Sequence, residues 1–243
     1  TGWLNEAYSD QPGYYGLVRC PESARVAKVV SFNNKNGMNV HFHSIGDAAT
    51  HTVVEGVAAA VVETGICDAR NAISHLQIVA PADYQAFADN GIIAVVAPLW
   101  ASMFPIEYDI TCSYIGDRAA GQYPIKSFFD LGCKVNFHSD YPITPSMSVA
   151  ESVYMAATRT QPALGPACAH NTSECVSREQ ALRAMTTDCA FQWHEENRQG
   201  SIAVGKLANF AIFNADFLHD DLDAIWNANV LATYVDGLVV YGK

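Results

Sequence analysis

Short apolar runs alternate with helix-like runs over the first 190 residues, and this alternation constrains the fold more than any other feature. Residues 92–98, IIAVVAP, form a continuous apolar run that is typical of a strand buried on both faces. In residues 48–64 apolar side chains recur on one helical face, with Asp47 as the predicted N-cap and Gly65 as the stop. The pattern predicts parallel strands joined by helical crossovers.

The same alternation of strand-like and helix-like runs predicts the other elements. The further predicted strands are residues 40–43, 71–79 and 134–138, and the further predicted helices are residues 81–89, 123–132, 148–159 and 177–188. The last of these helices is predicted to begin with a capping box from Ser177 to Gln180. About four strand–helix units fit before residue 190, which is half of an eight-stranded barrel or a small open sheet. Beyond Gly200, residues 201–213 and 230–241 read as short strands, and Asp236-Gly237 signals a hairpin. We therefore expect one domain over residues 1–197 and a small β module over residues 198–243.

Composition excludes several classes of function. The net charge of −11 argues against nucleic acid and against an anionic membrane surface as partners. No apolar run approaches the length of about 18 residues that a membrane span needs, and no signal peptide opens the chain. The seven cysteines are scattered, which favours reduced thiols and a cytoplasmic location.

Three predicted strands carry a metal-binding side chain near their carboxyl ends. These are His43, His75 and Asp140, and in a parallel sheet all three face one rim. Two imidazoles and a carboxylate suit a zinc-like divalent ion with an open position for water. His41 shares a strand face with His43, and His138 has the same spacing to Asp140. The pattern alone leaves open that these are ordinary histidines at the ends of strands.

At this point the sequence resembles a known family. The segments VHFHSIGDAA (40–49), FHSDYPI (137–143), GSIAVGKLANFAIFN (200–214) and YVDGLVVYGK (234–243) are similar to the amidohydrolase superfamily of metal-dependent hydrolases, in its formamide-deformylase-like branch. The resemblance runs over nearly the whole chain and in the order of the family.

The resemblance implies a fold and a chemistry. The implied fold is α/β, a partial (β/α)8 TIM-like barrel holding strands five to eight, with part of a small β-sandwich. His43, His75 and Asp140 would bind a divalent metal, most simply zinc, and Asp140 would also move the proton of a water. The implied reaction is hydrolysis of the C–N bond of an amide-like small molecule.

The sequence also departs from the family. The HxH motif of the first strand and the ligand of the fourth strand are absent, so we expect the C-terminal half of an enzyme of about twice the length. The half alone should bind metal weakly and be inactive. His138 departs from the small residue that is usual before Ser-Asp and would crowd or supplement the site.

Two other functions remain open. The chain would be a non-catalytic interaction module that pairs with its missing half, or a homo-oligomer that pairs with a second copy, because a half barrel leaves strand edges unpaired. Alternatively, it would be a complete small α/β binding protein with an open sheet. Arg118 would hold a substrate carboxylate or lie on the surface, and Trp100 and Met103 would line a pocket or pack in the core.

Overall fold

The structure is a computed structural model that describes residues 2–102, 106–144 and 146–242. Its helices are α1 (Ser23–Lys35), α2 (Asp47–Thr64), α3 (Tyr84–Asp89), α4 (Pro98–Ala101), α5 (Ile106–Ile115), α6 (Ile125–Asp130), α7 (Val149–Thr158), α8 (Arg178–Met185), α9 (Thr187–Gln192) and α10 (Leu222–Trp226). Its strands are β1 (His41–Ser44), β2 (Ala72–His75), β3 (Ile93–Val96), β4 (Val135–Phe137), β5 (Phe210–Phe213), β6 (Val230–Val235) and β7 (Leu238–Gly242). Within the described residues, no helix combines the length and apolarity that crossing a membrane requires.

The chain forms two compact units. The first comprises residues 1–96 and 103–135, and the second comprises residues 97–102 and 136–243. The predicted boundary between residues 197 and 198 stays a prediction. The fold is α/β, with one parallel sheet of order β1-β2-β3-β4 and a separate antiparallel sheet of order β5-β6-β7. The predicted parallel strands are thus confirmed.

Strand β3 lies between β2 and β4, and all four of its residues are buried. This is the location that its unbroken apolar sequence predicted, because a central strand of a parallel sheet exposes neither face. Beside the sheet, Phe87 of α3 and Phe128 of α6 are fully buried, with ring centroids 4.6 Å apart. These aromatic contacts anchor the crossover helices of the first unit.

Helices α1 and α2 pack closely because Gly56 has no side chain. A Cβ at this position would lie 2.5 Å from Cβ of Val26 on α1, which is too close for any contact. At the far end of the pair, Glu63 accepts hydrogen bonds from Ser31 at 2.9 Å and from Lys35 at 2.7 Å. Helix α1 was not predicted from the sequence. The predicted start of α2 was one residue late, because Asp47 was expected to be the N-cap, whereas Gly46 is the N-cap and Asp47 is the first helical residue.

In the second unit, the predicted capping box of α8 is confirmed. Ser177 accepts a hydrogen bond from the Gln180 backbone N–H, and the Gln180 side chain accepts one from the Ser177 N–H. The helix predicted over residues 177–188 is in fact two helices, because the backbone of Thr186 turns out of helical geometry at φ −129° and ψ −87°.

The antiparallel sheet contains the predicted hairpin. Val235 pairs with Leu238, and both turn residues have positive φ, 51° at Asp236 and 77° at Gly237, as a tight two-residue turn requires. Phe210 stacks on Tyr234 across the β5–β6 pair, with ring centroids 4.6 Å apart. The strand predicted over residues 201–213 is shorter than expected and begins only at Phe210.

Candidate functional site

The motif HFHSIGD forms β1 and the turn that follows it. His41 and His43 share one face of the strand and are exposed, whereas Ser44 on the other face is buried and hydrogen-bonded to the hydroxyl of Thr50 at 2.9 Å. Although His41 is exposed, neighbouring protein atoms displace part of the water around its ring, and this loss of hydration lowers the pKa of His41 below its ordinary value of 6.5. The strand thus directs both of its histidines to the same side of the sheet.

His43 and His75 lie side by side, as predicted for two ligands of one ion. Their ring centroids are 4.4 Å apart and the ring planes meet at 61°. Two imidazoles on one tetrahedral ion, each bonded at about 2 Å, hold their centroids about 5 Å apart. The pair therefore fits a shared metal as two of its ligands.

The backbone at His75 explains how the two rings meet. Strand pairing sets His43 opposite Ser74 and Ser44 opposite His75, so regular alternation would direct the His75 ring to the face of Ser44. At His75 φ is 75°, and at the fully buried Leu76 it is 54°, so the extended geometry ends there. Left-handed backbone at two consecutive bulky residues is costly, and such strain concentrates at functional sites.

The Gly-Asp pair after β1 holds the N-terminal segment in place. A Cβ on Gly46 would lie 2.2 Å from the Trp3 carbonyl oxygen, and φ there is 100°, so only glycine fits. The Asp47 carboxylate accepts hydrogen bonds from the backbone N–H of Asn5 at 2.9 Å and from its side-chain amide at 3.1 Å. Residues 3–5 are thereby held against the carboxyl end of β1.

Two cavities in the first unit adjoin this end of the sheet. One, of 470 Å³, contains His43 and Phe42 together with Arg19 and Arg25. The other, of 420 Å³, lies beyond the ends of β1 and β2, next to the turn at Gly46. It is lined among others by Leu4, Tyr8, Tyr14, Gln77, Ile78, Thr111 and Ile115.

The N-terminal loop forms much of the second cavity's wall and is firmly attached. Arg118 donates hydrogen bonds to the carbonyl oxygens of Glu6 at 3.1 Å, Ala7 at 2.6 Å and Ile115 at 3.0 Å. The guanidinium therefore holds backbone, which favours the structural interpretation of Arg118 over a role in binding a substrate carboxylate. The buried Tyr8 hydroxyl donates to the Gly2 carbonyl at 2.8 Å, and burial raises the pKa of its phenol above 10.0.

Asp140 lies in the second unit, in the turn after β4. It is half-buried with φ of 59°, and its carbonyl oxygen accepts hydrogen bonds from the N–H groups of Ile143 at 2.8 Å and Thr144 at 3.1 Å. His138, two residues earlier, is half-buried as well. Like His75, the last residue of β2, Asp140 is a candidate ligand with left-handed backbone near the carboxyl end of its strand.

The sequence reading did not identify several polar residues near these sites. Tyr8, Gln77 and Thr111 line the 420 Å³ cavity, and only Gln77 carried a signal, because it lies two residues beyond His75 at the carboxyl end of β2. His51 has a structural role, since its Nδ1 lies 2.8 Å from Oδ1 of the buried Asp83. Trp100 is half-buried in α4, and Met103 lies outside the described residues.

Within residues 2–102, 106–144 and 146–242, no group of three or more His, Cys, Asp or Glu side chains is placed to hold a metal ion. The geometry of the first unit thus provides a histidine pair. It does not by itself provide a complete ligand set.

Comparison with known proteins gives a consistent picture. The family model described as "Amidohydrolase family" matches residues 1–241. Protein LONG AFTER FAR-RED 3 of Arabidopsis thaliana is 29% identical over 239 residues, covering 97% of this chain and 40% of that protein. The N-substituted formamide deformylase of Arthrobacter pascens is 28% identical over 214 residues, covering 86% of this chain and 38% of that enzyme. The chain therefore spans about two fifths of the length of these relatives.

Solved structures share the fold. An uncharacterized metal-dependent hydrolase from Pyrococcus furiosus superposes with a TM-score of 0.68 at 23% identity, over 85% of this chain and 39% of that one. An adenosine deaminase from Xanthomonas campestris with bound zinc superposes with a TM-score of 0.60 at 20% identity, over 91% of this chain and 49% of that one.

Proposed function

Because this chain belongs to the amidohydrolase family, we propose that it is the C-terminal part of a metal-dependent hydrolase that cleaves the C–N bond of amide-like small molecules. The observation that carries the proposal is the pair of His43 and His75 rings, 4.4 Å apart at the ends of two parallel strands. The similarity to a formamide deformylase supports an amide-like substrate. A cytoplasmic location, and the absence of nucleic acid and membrane partners, belong to the same proposal.

The proposed metal ligands are His43, His75 and Asp140. Imidazoles and a carboxylate are the donor set that zinc takes in hydrolases, and the zinc bound to the structurally similar deaminase supports that choice. When bound, a divalent metal would polarise the substrate carbonyl and lower the pKa of a bound water to about 7.

The chain's own groups would perform the remaining steps. The Asp140 carboxylate would accept the proton of the attacking water and return it to the leaving nitrogen, as a general base and then a general acid. The His43 and His75 side chains would fix the reacting centre at the rim, since the backbone turn at His75 holds the two rings together.

The proposed architecture is half of a (β/α)8 barrel. On this proposal the four parallel strands, which lie in sequential order with helices between them, would be strands five to eight of such a barrel. The coverage of about two fifths of each relative supports a longer enzyme that supplies the other ligands. On this proposal the 243-residue chain alone is inactive.

Asp140→Ala tests the function. In a form of the enzyme that also contains the preceding half, we expect the turnover number for amide hydrolysis to fall by about 10²- to 10⁴-fold, the contribution of a general acid–base group. Amine release is the readout, and circular dichroism should show an unchanged fold. Asp216→Ala, at an exposed carboxylate of the second unit, serves as the matched control. Full activity of the Asp140→Ala enzyme would exclude the role.

One observation favours a second function, that of an interaction module. The antiparallel sheet exposes apolar side chains on both faces of β7, Leu238 and Val240 on one face and Val239 and Tyr241 on the other. Contiguous exposed apolar surface marks sites of protein association. This alternative predicts that the chain pairs with its missing half or forms a homo-oligomer through that sheet.

A further inference from the structure

We propose that the 420 Å³ cavity beyond the ends of β1 and β2 binds the uncharged, flat, apolar substituent of the substrate, and that Gln77 determines its specificity. Only the statement that the ligand is part of a substrate rests on the proposed function. The binding itself is a separate property that requires neither metal nor hydrolysis. The cavity has the volume of a small-molecule site, which is about 300–1,000 Å³ in most proteins.

The cavity walls are apolar and aromatic. Leu4 and Ile115 are almost fully buried and belong to one hydrophobic cluster with Tyr8, against which Tyr14 and Ile78 pack. Aromatic rings and branched aliphatic side chains make their best contacts with another flat apolar group. The shape and chemistry of the walls thus favour an aryl or compact alkyl substituent.

The walls are also rigid. The backbone N–H of Leu4 donates to the Tyr15 carbonyl at 2.8 Å, that of Tyr8 to Tyr14 at 2.8 Å, and that of Ser9 to Tyr114 at 2.7 Å. Arg118 adds its hydrogen bonds to the carbonyl oxygens of Glu6 and Ala7. A ligand therefore finds the site already formed and does not have to order a loop on binding.

Gln77 supplies an oriented polar contact. Its side-chain nitrogen donates to Oε1 of the buried Gln122 at 2.6 Å and lies 3.4 Å from the Thr111 hydroxyl. Both contacts use the side-chain nitrogen of Gln77. Its side-chain oxygen can therefore accept a hydrogen bond from the N–H of a bound amide. Gln77 follows His75, a proposed metal ligand, by two residues in the chain.

Charge decides which ligands the cavity accepts. Of the described residues that line it, none carries a formal charge. A carboxylate or ammonium group placed there would lose its hydration without gaining an ionic partner. An uncharged substituent loses little hydration, so the cavity discriminates by charge more than by size.

Three probes of almost equal shape test this, namely benzamide, benzoate and benzamidinium. Their binding to the 243-residue chain, measured by calorimetry and ligand-observed NMR in the presence of a chelator, should favour benzamide by at least about 10-fold. The phenylalanine of Thr111→Phe should fill the cavity, so only the binding that this variant abolishes is assigned to the cavity. Ser113→Phe, exposed on the same helix, is the matched control and should bind like the wild type.

Gln77→Glu is the second variant. It places a carboxylate at the proposed contact and should reverse the preference, so that benzamidinium binds more tightly than benzamide. The proposal is overturned if the wild type binds charged and uncharged probes equally, if benzamide does not bind, or if Gln77→Glu leaves the order of affinities unchanged. None of these results bears on amide hydrolysis, which the Asp140→Ala assay tests separately. If the chain binds benzamide but is not part of a hydrolase, this inference stands and the proposed function fails.

Discussion

The two sheets of this protein have similar apolar sequences and opposite environments. Every residue of β3 in the parallel sheet is buried, and Ile93 is 1% exposed. Every residue of β7 in the antiparallel sheet is exposed, and Leu238 is 71% exposed. Apolar β-branched residues thus specify a strand in both places, but the layers that pack on a strand decide whether its side chains leave water.

The difference has energetic consequences. Burying a valine or isoleucine side chain fully stabilises a fold by about 1.5–3 kcal/mol, and β3 gains this at several positions. Strand β7 gains mainly its backbone hydrogen bonds and cross-strand contacts to β6, which contribute less, about 0.2–1 kcal/mol for each side-chain pair. The parallel sheet should therefore be the more stable of the two, and the antiparallel sheet leaves apolar side chains of β7 in contact with water.

The largest contrast is expected from truncating one side chain in each sheet. Ile93→Ala should lower the free energy of unfolding by about 2–5 kcal/mol, because it leaves a cavity in a packed core. Val239→Ala, at a side chain that is 49% exposed, should change it by less than about 0.5 kcal/mol. Urea denaturation followed by circular dichroism measures both. Equal losses in the two variants would mean that the sheets do not differ in burial as described.

A second experiment concerns association through the exposed sheet. If the interaction module is correct, sedimentation velocity of the wild-type chain shows concentration-dependent association. Leu238→Lys with Val240→Lys should weaken it by at least about 10-fold, since burying each apolar side chain contributes about 1.5–3 kcal/mol. Val62→Lys, at a valine of α2 that is 86% exposed, is the control. A wild-type chain that stays monomeric at all concentrations would eliminate this alternative.

The smallest effect is expected from the two histidine–carboxylate pairs, one in each unit. The hydrogen bond to the buried Asp83 raises the pKa of His51 above 6.5. Its stabilisation is therefore complete below pH 6.5 and is lost as pH rises through the raised value. His51→Ala should cost more stability at pH 6 than at pH 9, by about 1 kcal/mol or less, because the ring is half exposed and screened by solvent.

The pair of His219 and Asp216 in the second unit is the comparison. Both side chains are exposed, and the hydrogen bond to His219 lowers the pKa of Asp216 below 3.8. That contribution is present above pH 3.8 and is lost only as pH falls through the lowered value, so Asp216→Ala should show no change in its effect between pH 6 and pH 9. Thermal unfolding at the two pH values measures both pairs. A pH dependence of the same size at Asp216 would contradict the assignment.

Local features were predictable from the sequence, and features that depend on distant residues were not. The burial of β3, the hairpin at Asp236-Gly237 and the capping box at Ser177 each depend on a few neighbouring residues, and each is confirmed. The proximity of His43 and His75 followed from the rule that parallel strands share a carboxyl edge. The turn at His75 that brings the rings together left no pattern in the sequence.

The cavity was unpredictable for a different reason. Its walls combine residues 2–14 with residues 111–115, which are about one hundred positions apart in the chain. Arg118 was ambiguous in the sequence, and only the positions of the Glu6 and Ala7 carbonyl oxygens identify what it binds. The exposure of β7 was also unforeseen, because an apolar strand gives no sign of whether another layer covers it.

The central claim is that His43 and His75 bind one metal ion together. Titration of the chain with Zn²⁺, followed by calorimetry, tests it directly. We predict weak binding of one equivalent of Zn²⁺, with the affinity reduced by at least about 10-fold in His43→Ala and in His75→Ala. Removing a metal ligand should lower the affinity at least as much as removing a residue that only supports a ligand. His219→Ala should leave it unchanged. Zinc affinity that is the same in wild type and in the variant lacking both His43 and His75 would contradict the account.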